Sequence, residues 1–429
     1  MKRAAQWASE PEAKRPKQVP YRGQSVTSKL MMRELSRTSN NTCAVDNSMG
    51  RFKGFKPRNC FDACDLSSTD VKLCFLRKRS KVVEICSTQD LIFTLTQTGI
   101  CTALDRSTAK RVCFLNITPD EVIRSLFYNK SNQSVITVSV YRDDNYSSLR
   151  CRSTPLEYIR GNKPENGFQL FESESLRWPG FVEFDDVNGK VLTYSAKDHV
   201  YKIWDLVNYT TLYSVPDANI QEIKISPGIM LLIHNRSECK SFVKLKIVAI
   251  DTGECLKTFE HALKPCKKIE FIEQFNEKLL VKQEEETLQI VDVRNFDVLQ
   301  VPCTDFMTPS AFIFLYQNQL FLTFRDHKVA VWNFKGELVT QFEDHVLWHP
   351  DCNTNNIYIT SGQDLIISYC KSKYGNTGSI NVSDIMTGKC LAKIANEEML
   401  HDITSLFYNE DLNEIYIGNK NGTIHTWAN

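Results

Sequence analysis

The chain has 429 residues, 42% of them hydrophobic and 24% charged, with a net charge of +1. No apolar run approaches the ~20 residues of a membrane-spanning helix, and the basic, polar N-terminus lacks the apolar core of a secretory signal, so an intracellular protein with no membrane partner is expected. The charge is uneven: residues 1–60 hold 13 Lys and Arg against 4 Asp and Glu, and the other 369 hold 39 against 47.

The first segment, 1–60, is rich in Lys, Arg, Ser, Asn and Pro and poor in apolar periodicity, which predicts a disordered basic tail. Within it, Lys2 and Arg3 stand ten residues before Lys14, Arg15, Pro16 and Lys17. That spacing fits a two-part nuclear-import signal, in which an extended chain reaches two acidic pockets on a carrier protein. Further on, Arg51, Lys53, Lys56 and Arg58 interleave with Phe52 and Phe55. This is either a solvated linker or a contact for single-stranded nucleic acid, with phosphate-binding and stacking residues alternating.

From about residue 70 the chain is strand after strand, and 70–429 reads as one all-β body. Short runs rich in β-branched and aromatic residues alternate with turn residues every 8–12 positions. Eight units start near residues 82, 122, 181, 220, 268, 310, 355 and 402; a different cut of 345–394 gives seven. A marker residue closes the third strand of several units: Asp105, Asp205, Asp251, Asp292, Asn333 and Asp384. Ser125-Leu126-Phe127-Tyr128-Asn129 recurs unchanged as Ser405 to Asn409. Strand repeats of 40–50 residues predict the blades of a single β-propeller. The last unit stops at its third strand, and Val71–Leu76 is the expected donor of the fourth, closing the ring and covering an open edge. Arg77, Lys78 and Arg79 follow it, either as a charged turn or as a basic patch on the rim.

With Trp204-Asp205, Trp332-Asn333 and Trp427 at the ends of third strands, residues 70–429 resemble the WD40-repeat (transducin-like) propellers. The Gly-His pair that precedes blades in that family is absent. The resemblance implies a rigid platform for peptides and other proteins. Asp198 to Asn208 also resembles the segment by which some WD40 proteins dock to cullin-4 ubiquitin-ligase adaptors, but Asn208 stands where that pattern has Arg.

No nucleophile-elbow, phosphate-loop, dinucleotide or zinc-protease motif is present, so no enzyme and no cofactor are expected. His345, His349 and Cys352 are spaced like metal ligands but lack a fourth, and they read as a polar turn. The fifteen cysteines, scattered singly, read as reduced and mostly buried. Insertions carry more promise: Arg142 to Ser148, and Ser153 to Pro179 in place of a tidy fourth strand. Tyr158, Arg160 and Lys163 there are the candidate partner-binding residues, and 142–179 is the expected binding face. The function expected is a nuclear, non-enzymatic scaffold within a larger protein complex. The alternatives are a substrate-recognition subunit of a cullin-RING ligase and a nucleic-acid-associated protein using its basic tail.

Overall fold

The computed structural model describes residues 50–64, 79–173, 182–195, 198–216, 219–236, 241–302, 306, 308–309, 311–325, 328–342, 356–371, 378–396 and 398–429. The import-signal residues Lys2, Arg3, Lys14, Arg15 and Lys17 lie outside them, as do Val71–Leu76, Arg77, Lys78, His345, His349 and Cys352. The chain divides into two units, Met1–Arg51 and Phe52–Asn429, and every described strand lies in the second.

The described strands form eight antiparallel four-stranded sheets, the blades of an eight-bladed β-propeller. The first strand of each blade starts within two residues of the predicted position, from Val82 in blade 1 to Ile403 in blade 8. Burial follows from the layering. The second strands are pressed between neighbouring blades, and Leu91–Thr96 is buried at every position. The outermost strands face solvent, as at Leu338–Gln341. Eight hydrophobic clusters fill the eight blade junctions. Each sheet therefore buries both faces against its neighbours, and no blade has a core of its own.

The repeated pentapeptide has a structural reason. Asn129 ends the first strand of blade 2, and its amide donates to the Leu206 carbonyl of blade 3 at 2.7 Å. Its copy, Asn409, donates to Ser87 of blade 1 at 2.8 Å. Each asparagine also accepts from its own turn, at Ser131 N and Leu412 N. One side chain thus fixes a turn and latches it to the next blade.

The marker residues close the turn between third and outer strands. Asp205 accepts from the Val207 and Asn208 amides, and Asp384 accepts from the Thr387 amide and hydroxyl, both at 2.7 Å. Asp251 does not belong to this series. The bonds made by the Asp205 backbone are repeated by Ala249, which receives Gly253 N and donates to Glu254 O. Asp251 instead pairs with Lys190 at 3.0 Å from a largely exposed position. The loose spacing of the markers, about 40–50 residues, hid a two-residue offset. Asp384→Ala is expected to cost about 1 kcal/mol through the lost turn bonds, and Asp251→Ala close to nothing; urea unfolding of the two variants side by side checks this.

Ring closure differs from the expected one. The fourth strand of the last blade is Lys56–Asp62, antiparallel to Thr423–Ala428. Five of its seven residues, 56–60, lie in the segment read as a tail, because only Phe61 of the strand is buried and an exposed outer strand has no apolar periodicity to betray it. Phe52 and Phe55 are likewise buried, with Phe52 packed 5.6 Å from Tyr408, so neither ring is available to stack on a base. Arg79 holds the closure, meeting both Asp62 oxygens at 2.8 and 3.2 Å and donating to the Asn421 carbonyl. It thus bonds to both the first and the last segments of the ring from a half-exposed position.

Candidate binding surface

Blade 2 departs most from the pattern. After its third strand, Leu149–Pro155, the chain makes a short helix, Leu156–Arg160, and a single 3-10 turn, Pro164–Asn166. It then does complete a fourth strand, Phe168–Ser173, contrary to the expectation that the excursion replaced it. Leu156 and Ile159, one helical turn apart, are buried among Leu91, Phe93, Cys113 and Leu115 of blade 1. The excursion is thus a plug in the seam between two blades, which is why it has helical spacing in an all-β chain.

The predicted binding residues divide accordingly. Arg160 is committed to Asp90 of blade 1, at 2.6 and 3.0 Å, and its guanidinium holds the Asp90 carboxyl below the usual range. Tyr158 and Lys163 are exposed. Beneath them Arg152 is buried, donating to the carbonyls of Pro164 and Leu115, 3.9 Å from the buried Glu121. Of the expected face 142–179, residues 174–179 lie outside the described ones, and the described part divides between two ends of the blade. Arg142–Ser148 joins the strands at the end where Ser139 pairs with Arg150, whereas the helix leaves from the other end, where Ser134 pairs with Pro155. The two insertions are separated by the length of a strand.

Two clefts flank the excursion. One, of about 380 Å³, lies between blade 1 residues such as Arg111 and Ile117 and the turn at Asn162–Glu165. The other, of about 470 Å³, lies between blades 2 and 3. Its walls are Phe168, Phe171, Trp204 and Tyr209, and its floor holds Asn132, Ser134 and Ser153. The Tyr209 hydroxyl is the hub, receiving the amides of Asn129 and Asn132 at 3.0 and 2.8 Å with the Ser134 and Ser153 hydroxyls at 3.4 Å. Tyr209 has φ 60°, the left-handed conformation that Gly253 and Gly388 supply at the equivalent turns. This cleft was missed, and the position gave no distinct signal, since Phe296 is an equally bulky left-handed residue at the matching turn after Asp292.

The inner strands carry charge. Lys224 of blade 4 bridges Glu222 and Glu273, at 2.7 and 2.8 Å. Burial raises the carboxyls of Glu183 and Glu273, and pushes that of Glu84 up to about 7. Among the described residues no group of His, Cys, Asp and Glu is placed to hold a metal ion. The ten described cysteines are free thiols, and Cys64, Cys101, Cys113, Cys151 and Cys370 are buried. Burial holds the Cys113 and Cys151 thiols up at about 12, in the unreactive form. No described helix is long and apolar enough to cross a membrane.

The eight sheets and their seams define a β-propeller with clefts at its rim, a class whose members generally bind proteins. Within that class, the chain belongs to the family described as "Domain of unknown function (DUF7899)", whose match spans residues 40–427 and takes in the closing strand. No curated protein matches it. Among solved structures it is similar to the computationally designed Ika8 protein, at 15% identity over 82% of this chain and 97% of that one, with a TM-score of 0.49. It is also similar to BamB from Moraxella catarrhalis, at 12% identity over 87% and 98%, with a TM-score of 0.43.

Proposed function

We propose that this protein is a nuclear, non-enzymatic scaffold, a WD40-like propeller that joins other proteins into a complex. What carries the reading is a ring whose seams are latched by side chains such as Asn129, Asn409 and Arg79, beside an open cleft lined by aromatic and uncharged polar groups. Preorganised walls lose little entropy on binding, so modest contacts suffice for recognition. The WD40-like part is supported by blades 3 and 6, where Trp204 and Trp332 donate their indole N–H to Thr193 and Thr323 at 2.8 and 2.9 Å. The nuclear part rests on the two basic clusters, Lys2-Arg3 and Lys14-Arg15-Pro16-Lys17, as ligands for an import carrier.

Crosslinked affinity purification from nuclear extract tests the whole, with Lys14/Arg15/Lys17→Ala as the control. The expected result is a stoichiometric set of nuclear proteins that disappears with the triple variant, which itself stays in the cytoplasm. A wild-type protein that comes down alone, beside a triple variant that still enters the nucleus, overturns both halves.

A further inference from the structure

The cleft between blades 2 and 3 has a definite chemical character. Among the described residues that line it, none is Asp, Glu, Lys or Arg. A charged group entering it gives up hydration without a countercharge, which costs several kcal/mol. Its walls are aromatic: Phe171 and Trp204 stand 4.9 Å apart, and Phe168 meets Tyr209 edge-on at 6.2 Å. Two large apolar side chains are left at the mouth, Phe168 at 47% and Val207 at 53% exposure. The floor offers hydroxyl and amide groups already fixed around the Tyr209 oxygen, suited to a single N–H or O–H on an otherwise apolar group.

The wall also has a direction. Phe168–Ser173, which contributes Phe168 to Phe171, is the last strand of its sheet, and among the described strands none pairs with its outer side. The Phe171 carbonyl accepts the side-chain amide of Gln169 at 3.3 Å. An extended chain laid along this edge makes main-chain bonds while one side chain drops into the cleft.

We propose that this cleft binds a short extended peptide segment of a partner protein, anchored by a tryptophan, tyrosine or phenylalanine with uncharged neighbours. The proposal rests on the scaffold reading and names the place and chemistry of one docking site. The anchor ring packs between Phe168 and Val207 at the mouth and Phe171 and Trp204 within. An indole N–H or phenol O–H donates to the hydroxyls on the floor. An acidic or basic anchor is disfavoured by the uncharged lining.

The test is selection from a displayed library of random nonapeptides on the full-length protein, with Val207→Arg and Phe168→Asp as parallel baits. Both positions are exposed lips of the cleft, so both variants are expected to keep the wild-type thermal midpoint, and either alone suffices if the other misfolds. The expected result is enrichment of peptides with one aromatic anchor and uncharged flanks, binding wild type at least about tenfold more tightly than either variant. No enrichment over bare support, enrichment of charged anchors, or equal binding to wild type and variants overturns the proposal. Failure of the scaffold reading is separate. Nuclear partners that still copurify with Val207→Arg while peptide selection fails leave the scaffold standing without this site, whereas absence of partners from wild type removes the scaffold itself.

Discussion

Deletion of residues 1–62 is expected to leave the propeller unfolded where the full chain is folded, while deletion of 1–49 leaves its thermal midpoint nearly unchanged. The longer deletion removes the outer strand of the last blade and three buried aromatic side chains. Phe61 sits in the junction of blades 8 and 1 with Val82, Ile92, Tyr416 and Ile424. Phe52 and Phe55 sit in the junction of blades 7 and 8 with Tyr408 and Trp427. Truncating one such phenylalanine to alanine costs about 3–5 kcal/mol, so losing all three rivals the whole stability of a typical domain, about 5–15 kcal/mol. The deletion also bares the edge of Thr423–Ala428, an invitation to aggregation. The shorter deletion takes none of the described strands. Phe61→Ala alone should lower the urea-unfolding free energy by about 3–5 kcal/mol. A 1–62 deletion that melts with the full chain would falsify closure by this strand.

How much of this was legible depends on where each residue's free energy lies. Blade number and spacing were readable because second strands such as Leu91–Thr96 are buried along their whole length, and a run of apolar residues between turns is a strong local signal. Closure was readable only as a need. Lys56–Asp62 shows one buried residue in seven, and its identity as a strand comes from pairing with a segment more than 350 positions away. Asp251 misled because sequence spacing counts residues, whereas the turn is defined by which carbonyl receives the Gly253 amide, and that is Ala249. Arg160 looked like a recognition residue and is half of an inter-blade pair with Asp90. The cleft is assembled from blades 2 and 3, with Asn132 and Tyr209 lying 77 positions apart.

Glu84→Gln is expected to stabilise the protein in alkaline solution and to do nothing in acid. Glu84 lies on the first strand of blade 1, and its carboxylate accepts the Leu126 amide of blade 2 at 3.2 Å. Burial raises its pKa from an ordinary 4.5 to about 7, with the bonds from Leu126 and Ser125 opposing only in part. The folded chain therefore holds this proton more tightly than the unfolded one. Stability from this group is fully present below pH 4.5, falls as pH rises through the window to 7, and stays low above it. The full loss is on the order of 3 kcal/mol. Glutamine keeps an oxygen for the Leu126 amide and carries no charge at any pH, so the variant escapes the loss. Urea unfolding of both proteins at pH 4 and pH 8.5 isolates the effect, since every other titrating group cancels in the difference. Curves that run parallel across that range would show Glu84 ionising as freely in the ring as in water, with the Leu126 bond and local hydration outweighing the desolvation of the inner strand.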